Sequence, residues 1–133
     1  MSVGVILLTH GHIGRSILEV CNFIYGSVPL TIEDISVTAD DTPETIESKL
    51  ETSFAKTNSP DGVIILTDIF GATPFNIANR IITGEKVKIL TGINLQMLLK
   101  IFNFNDLDIE ELSEKICNAG KNSIEILQTG IEL

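Results

Sequence analysis

The sequence alternates between short, continuous apolar runs and longer segments in which apolar residues recur every three or four positions. A continuous run of four to eight apolar residues suits a strand that is buried on both faces of a parallel sheet. Recurrence every three or four positions is typical of an amphipathic helix. Four apolar runs predict strands at residues 3–8, 30–37, 63–66 and 87–90. The second is the weakest because it contains Glu33 and Asp34, which places it near a sheet edge.

Capping signals mark where the intervening helices begin. The first helix runs to about Tyr25, where Gly26 is a stop signal. Threonine followed by proline predicts a helix start twice, because threonine caps a helix and proline suits its first position. The predicted N-terminal caps of the later helices are Thr42, Thr73, Asn94 and Asp108. Residues 123–128 form a short, half-polar candidate for a fifth strand.

This order of strands and helices predicts an α/β fold with an open, mostly parallel sheet and helices on both faces. The chain of 133 residues fits one domain, residues 1–133. All four runs lead into a threonine and then a loop: Thr9, Thr38, Thr67 and Thr91. Ligands of open α/β sheets bind beyond the carboxyl ends of the strands. The loops after Thr9, Thr67 and Thr91 are therefore expected to converge on one site.

Composition narrows the possible partners. The net charge of −9 and the pI near 4.5 disfavour binding to nucleic acid and to anionic membranes. No apolar run approaches the roughly 20 residues of a membrane span, and the N-terminus lacks a basic signal-peptide region. Cys21 and Cys117 lie in helical patterns without partners at metal-ligand spacing, which favours a reducing compartment. We expect a cytoplasmic protein with no metal and no cofactor.

His10 is the candidate nucleophile because it comes directly after the first strand, at the mouth of the sheet. A neutral imidazole has a lone pair on one nitrogen and a proton on the other, and the partner of the protonated nitrogen decides which is free. Asp68, at the end of the third strand, is placed to accept that proton's hydrogen bond. A carboxylate there fixes the tautomer and stabilises the ring as it gains positive charge.

Residues for binding an anion lie on the same loops. A helix that begins at Thr73 points unpaired amides at its N-terminus, and these favour a negatively charged group. Gly71 lets the backbone come close, Gly11 precedes the first helix with further amides, and the Thr73 hydroxyl can donate to a phosphoryl oxygen. Thr9 is assigned to the same site. Together with His10 and Asp68, this arrangement suits phosphoryl transfer.

Other residues near the predicted site have simpler interpretations. His12 fits an exposed turn residue better than a group that steers a partner. Phe70 is either tucked into the core or part of a docking patch, and the first is favoured. Asn94 fits a helix cap. The acidic pairs Glu33–Asp34 and Asp40–Asp41 fit solvated faces.

Three stretches resemble the mannose-family IIA domain of the bacterial sugar phosphotransferase system. They are LLTHGHIG around His10, VIILTDIFGATPFN around Asp68 and Thr73, and the later LTGINLQMLL. The resemblance covers essentially the whole chain, and the second stretch is its most specific part. It implies that His10 is phosphorylated at Nε2, that Asp68 orients Nδ1, and that the Thr73 hydroxyl bonds the phosphoryl group.

The resemblance also implies partners. The donor is the histidine-containing phosphocarrier protein, the acceptor is a IIB protein or domain, and the membrane is reached only through the IIC/IID transporter complex. It further implies a flavodoxin-like sheet and a homodimer that exchanges an antiparallel C-terminal strand. The chain is expected to be a free-standing IIA phosphotransferase, in a complete transporter or in a regulatory system.

Two other functions stay open at this point. The first is a regulatory protein whose phosphorylated state is sensed by a partner. The second is a flavodoxin-like nucleotide or flavin binder. Against the binder, the first loop lacks a Ser/Thr-rich phosphate cradle, and Tyr25 is the chain's one Tyr or Trp available to stack on a ring. The sugar and the identity of the IIB partner cannot be read from the sequence.

Overall fold

The computed structural model describes residues 2–27 and 29–132. The elements in chain order are β1 (Gly4–His10), α1 (Ile13–Tyr25), β2 (Ile32–Val37), α2 (Pro43–Thr57), β3 (Val63–Thr67), α3 (Thr73–Ile81), β4 (Val87–Leu90), α4 (Leu95–Asn103) and α5 (Ile109–Asn122). All four strongly predicted strands and all the predicted helices are therefore present. The main shift is in β2, which begins at Ile32 rather than at residue 30.

The sheet has the order β2-β1-β3-β4, and all its pairs are parallel. The predicted α/β class and flavodoxin-like strand order are thus confirmed, and β2 is an edge strand as expected. In the register, His10 pairs with Val37 of β2, and Leu8 pairs with Thr67 of β3. The carboxyl ends of these three strands consequently lie side by side.

Two apolar clusters hold helices on the two faces of this sheet. Alternate residues of a strand face opposite sides, so Leu7 joins one cluster and Leu8 the other. The Leu7 cluster packs against α1, α4 and α5, and the Leu8 cluster packs against α2 and α3. Both clusters are needed because β1 and β3 are buried on both faces.

Three of the four predicted caps are confirmed. Thr42, Asn94 and Asp108 each accept a hydrogen bond from a backbone N–H in the first turn of the helix that follows. The prediction for Thr73 is wrong: the cap residue of α3 is Ala72, and Thr73 is already helical. Pro74 is compatible with either position of the cap. Proline lacks an N–H, and the N–H groups in the first turn of a helix have no partner within that helix.

The predicted fifth strand at residues 123–128 is wrong for the described chain. After α5 the backbone forms no strand, and Ile126 is 98% exposed. A strand requires a neighbour that accepts and donates its backbone hydrogen bonds, and this segment has none among residues 2–27 and 29–132. Across residues 2–27 and 29–132, we find no helix with the length and apolarity to cross a membrane.

Candidate functional site

His10 is the last residue of β1, and the backbone on both sides of it is held by hydrogen bonds. Gly11 has a φ of +55°, a conformation that favours glycine, and its N–H donates to the Val37 carbonyl at 2.7 Å. The buried Thr9 Oγ1 accepts a hydrogen bond from the N–H of Gly14 at 2.8 Å. The neighbouring strand and the start of α1 therefore fix the backbone on both sides of His10.

Asp68 holds His10 through one carboxylate oxygen. Its Oδ2 accepts from the backbone N–H of His10 at 3.0 Å and lies 2.8 Å from His10 Nδ1. The Asp68 side chain is 9% exposed, whereas that of His10 is 45% exposed. With Nδ1 donating to the carboxylate, the lone pair of the neutral ring is on Nε2.

The charge of Asp68 is stabilised by these contacts. Burial alone raises the pKa of its carboxyl group. The hydrogen bonds from the His10 backbone, the His10 ring and a local backbone group lower that pKa, and together they outweigh the burial. The result is a pKa below the ordinary value, so Asp68 is an anion beside His10 at neutral pH.

The second oxygen of Asp68 holds the loop that follows. Asp68 Oδ1 accepts from the N–H of Ile69 at 3.1 Å. At the other end of the loop, Asn76 Nδ2 donates to the Gly71 carbonyl at 2.9 Å, and Gly71 has a φ of +82°. Asn76 was missed in the sequence because its role depends on the loop conformation. One carboxylate therefore positions both the histidine and the loop that leads into α3.

The start of α3 opens at the same edge of the sheet. Ala72 provides no side-chain cap, and no hydrogen bond caps the helix through Thr73. The first-turn amides of α3 are consequently not satisfied by a side-chain cap, which is the arrangement that suits an anion. The structure thus places His10 and Gly11 at the end of β1, and Asp68, Gly71 and Thr73 after the end of the adjacent strand β3.

The structure differs from three of the interpretations drawn from the sequence. Thr9 is buried, and its hydroxyl supports the turn, so a phosphoryl contact by Thr9 stays a prediction without structural support. Phe70 is 74% exposed, so the favoured core interpretation is wrong. Glu33–Asp34 is not a solvated pair, because Asp34 Oδ1 is buried. His12 is exposed and gives α1 no side-chain cap, as expected of a turn residue.

Histidine, cysteine and acidic residues are the groups that bear on metal binding and thiol chemistry. Within residues 2–27 and 29–132, no group of three or more His, Cys, Asp or Glu residues could hold a metal ion. Cys21 is buried, and its burial raises its pKa to about 11. A thiol with that pKa is a poor nucleophile at neutral pH.

Comparison with known proteins identifies the family. The sequence model described as PTS system fructose IIA component, the EIIA-man family, matches residues 4–117. The chain belongs to this IIA family. The family is described as a IIA component of the phosphotransferase system (PTS).

Two curated relatives and one solved structure illustrate the relationship. This IIA chain is 26% identical over 131 residues to the mannose-specific EIIAB component of Escherichia coli K12, covering 96% of this chain and 40% of that protein. It is 27% identical over 110 residues to the sorbose-specific EIIA component of Lacticaseibacillus casei, covering 81% and 78% of the two chains. The mannose/sorbose-specific IIA subunit from Enterococcus faecalis has the same fold, with a TM-score of 0.88 at 22% identity over the full length of both chains.

Proposed function

We propose that His10 carries a phosphoryl group on Nε2 between two proteins of the phosphotransferase system. The donor is the histidine-containing phosphocarrier protein, and the acceptor is a IIB protein or domain. The observation that supports this is the 2.8 Å contact between His10 Nδ1 and Asp68 Oδ2, beside a ring that is open to solvent. Such a carrier works in the cytoplasm and reaches the membrane only through its transporter.

The chemistry requires little beyond positioning and charge stabilisation. The Nε2 lone pair attacks the phosphorus atom of the donor's phosphohistidine, and the P–N bond to the donor breaks as the new P–N bond forms. The electron pair of the broken bond stays on the donor's imidazole. Asp68 stabilises the positive charge that develops on the His10 ring. Thr73, Gly71 and Gly11 supply the hydroxyl and amide donors for the phosphoryl oxygens, and onward transfer reverses these steps.

Labelling tests the assignment of His10. Incubation with phosphoenolpyruvate, enzyme I and the phosphocarrier protein should produce an acid-labile, base-stable phosphate with the phosphorus NMR signal of a phosphohistidine. His10→Ala should abolish the label. The matched control is His12→Ala, an exposed histidine two positions away that should be labelled like the wild type. Label that persists in His10→Ala would contradict the proposal.

We also propose that the protein is a homodimer in which C-terminal segments exchange, as the resemblance implies. The outer edge of β4 borders a groove of about 430 Å³ lined by Leu90, Met97, Cys117 and other residues. The segment after α5 carries exposed Ile124, Ile126 and Leu127, which have no cover within the described chain. An antiparallel strand from a second copy would pair with β4 and bury these side chains.

Mass measurement in solution tests this assembly. Sedimentation should give twice the chain mass for the wild type and a lower average mass for Ile126→Ser, because the substitution removes apolar contact from the exchanged segment. Phe23→Ser is the control, since Phe23 is also highly exposed but lies on α1. A monomeric wild type, or equal masses for all three proteins, would contradict the exchange.

A further inference from the structure

A polar cleft lies beside β2, the edge strand of the described sheet. It has a volume of about 530 Å³, within the range of sites that hold small ligands. Its walls come from α1 and α2, whose apolar residues pack on opposite faces of the sheet. His10, Asp68 and the loop before α3 do not line it. The cleft is therefore separate from the candidate site at the ends of β1 and β3.

Hydroxyl side chains make up half of the cleft lining. Four of the eight lining residues are serine or threonine: Ser36 on β2, and Ser48, Thr52 and Ser53 on α2. Ser48 and Thr52 are four positions apart, so they lie on one face of the helix, one turn from each other. Thr52 Oγ1 donates to the Ser48 carbonyl at 3.0 Å, which leaves its oxygen available as an acceptor. Because hydroxyl groups both donate and accept, this lining suits a ligand that itself carries several hydroxyl groups.

Two cationic side chains also line the cleft, one from each helix. Arg15 lies in the first turn of α1, and Lys49 lies in α2. Arg15 Nε is 3.3 Å from Glu19 Oε1, and Lys49 Nζ is 2.8 Å from Asp41 Oδ1. A guanidinium has five N–H donors and an ammonium has three, so each side chain keeps donors for a further oxygen atom. The two side chains are 63% and 47% exposed, so an anion in solution can reach both.

The lining disfavours other classes of ligand. Among the described residues that line the cleft, Ile35 is the one apolar residue, and it is only 4% exposed. The same set of residues includes no aromatic ring, so a nucleobase or a flavin would find no side chain to stack on. Asp34 is its one carboxylate, whereas a hard divalent cation takes several oxygen ligands and avoids neighbouring positive charges. An anion that also carries hydroxyl groups fits the chemistry that remains.

We propose that this cleft binds a small sugar phosphate. Arg15 and Lys49 bind the phosphate group, and the Ser48 and Thr52 hydroxyls exchange hydrogen bonds with the sugar. A guanidinium can donate two parallel hydrogen bonds to one phosphate, which makes a strong charge-assisted contact. Asp34, as a carboxylate, accepts from a sugar hydroxyl rather than from the phosphate. The binding involves no covalent step and does not depend on phosphoryl transfer at His10.

An NMR titration of the isotope-labelled protein tests this binding with glucose 6-phosphate, glucose and inorganic phosphate. Glucose 6-phosphate should shift the amide signals of Ser48, Lys49 and Thr52 in a saturable way, with a Kd below about 1 mM. Glucose and inorganic phosphate should each bind at least about tenfold more weakly, because each makes only part of the contacts. Binding of either compound as tight as that of glucose 6-phosphate would overturn the assignment to a sugar phosphate.

Substitutions in the cleft test the two kinds of contact. Arg15→Gln and Lys49→Gln should each raise the Kd for glucose 6-phosphate at least about tenfold, because a charge-assisted hydrogen bond is lost. Ser48→Ala should raise it about threefold and leave the binding of inorganic phosphate unchanged. The matched control is Lys56→Gln, which removes the same charge from α2 about 10 Å along the helix axis from Lys49, outside the cleft. This control should bind within about twofold of the wild type, and an equal loss there would overturn the proposal.

The start of α3 is the competing location for an anion. If glucose 6-phosphate bound there, the signals of Gly71 and Thr73 would shift most and Arg15→Gln would bind it like the wild type, which would overturn the proposal. The absence of any saturable shift up to about 10 mM would also overturn it. His10→Ala should bind glucose 6-phosphate like the wild type although it takes no phosphoryl label. The sugar-phosphate cleft and the proposed function can therefore fail separately.

Discussion

Two aspartates beside β1 have opposite electrostatic environments. Asp34 lies within β2 on one side of β1, opposite Leu7, and Asp68 follows β3 on the other side. Burial acts to raise the pKa of both carboxyl groups, and it is the largest single influence on each. The net shift is nevertheless upward for Asp34 and downward for Asp68.

The opposite pKa shifts of Asp34 and Asp68 come from their hydrogen-bond donors rather than from how deeply each is buried. Asp68 accepts bonds from two backbone N–H groups and a ring N–H. In the described chain, Asp34 Oδ1 has no partner, and a Cβ added to Gly14 would lie only 3.0 Å from it. Arg15 and His12 offset part of the cost of burying Asp34 but not all of it. Backbone donors thus lower the pKa of Asp68 below its ordinary value, whereas the pKa of Asp34, which lacks them, stays raised.

The largest expected effect comes from removing the charge of Asp68. Asp68→Asn keeps the size of the side chain but removes the anion that fixes Nδ1–H and stabilises the positive ring. We expect the rate of phosphoryl transfer through His10 to fall by about 10²–10⁴, the range typical of losing such an orienting group. Rapid-quench labelling measures the rate, and the circular dichroism spectrum should remain that of the wild type.

Asp34→Asn at the other position serves as the counterpart for that experiment. It should leave transfer through His10 within about twofold of the wild type. A large loss of transfer in Asp34→Asn, or none in Asp68→Asn, would show that the two aspartates do not differ in the way their surroundings indicate.

A smaller effect is expected on stability, which Asp34→Asn should increase. Asp34→Asn should raise the free energy of unfolding at pH 7 by about 1 kcal/mol, because a poorly satisfied buried anion is removed. For a domain of this size that corresponds to a melting temperature roughly 4 °C higher. Asp40→Asn, at an exposed loop position, should leave the melting temperature unchanged.

The pH dependence of stability independently tests whether Asp34→Asn stabilises the fold. Because the pKa of Asp34 is raised, the folded state keeps the proton of this carboxyl group to a higher pH than the unfolded state does. In the unfolded state the carboxyl group titrates at about 3.9. Wild-type stability is therefore lost relative to Asp34→Asn as pH rises through this window. The melting temperatures of the wild type and Asp34→Asn should be similar at pH 3, and that of Asp34→Asn should become the higher one as the pH rises to 7. A gap that is constant with pH would attribute the gain to packing instead.

The sequence predicted what depends on local periodicity and on strand order. The strand Val87–Leu90 and the helix ending at Tyr25 follow from apolar spacing alone. The meeting of His10 and Asp68 follows because parallel strands carry their carboxyl ends to one edge, so residues distant in sequence become neighbours. The resemblance assigned the same pair.

The features that were missed depend on contacts between distant or competing groups. Phe70 contacts Phe75 and precedes the turn at Gly71, and neither feature can be read from apolar spacing. The capping of α3 by Ala72 rather than Thr73 reflects two cap positions that proline tolerates almost equally. The predicted strand after α5 is not formed because the described part of a single chain offers it no neighbouring strand.

The exposed position of His10 has a consequence for the lifetime of its charged product. The His10 side chain is 45% exposed, so a phosphoryl group held there would be accessible to water as well as to a partner. The modified fraction at any moment would then reflect the balance between supply, onward delivery and spontaneous hydrolysis. After the supply of phosphoryl groups stops, the phosphorylated fraction of such a site would fall on the timescale on which water cleaves the P–N bond.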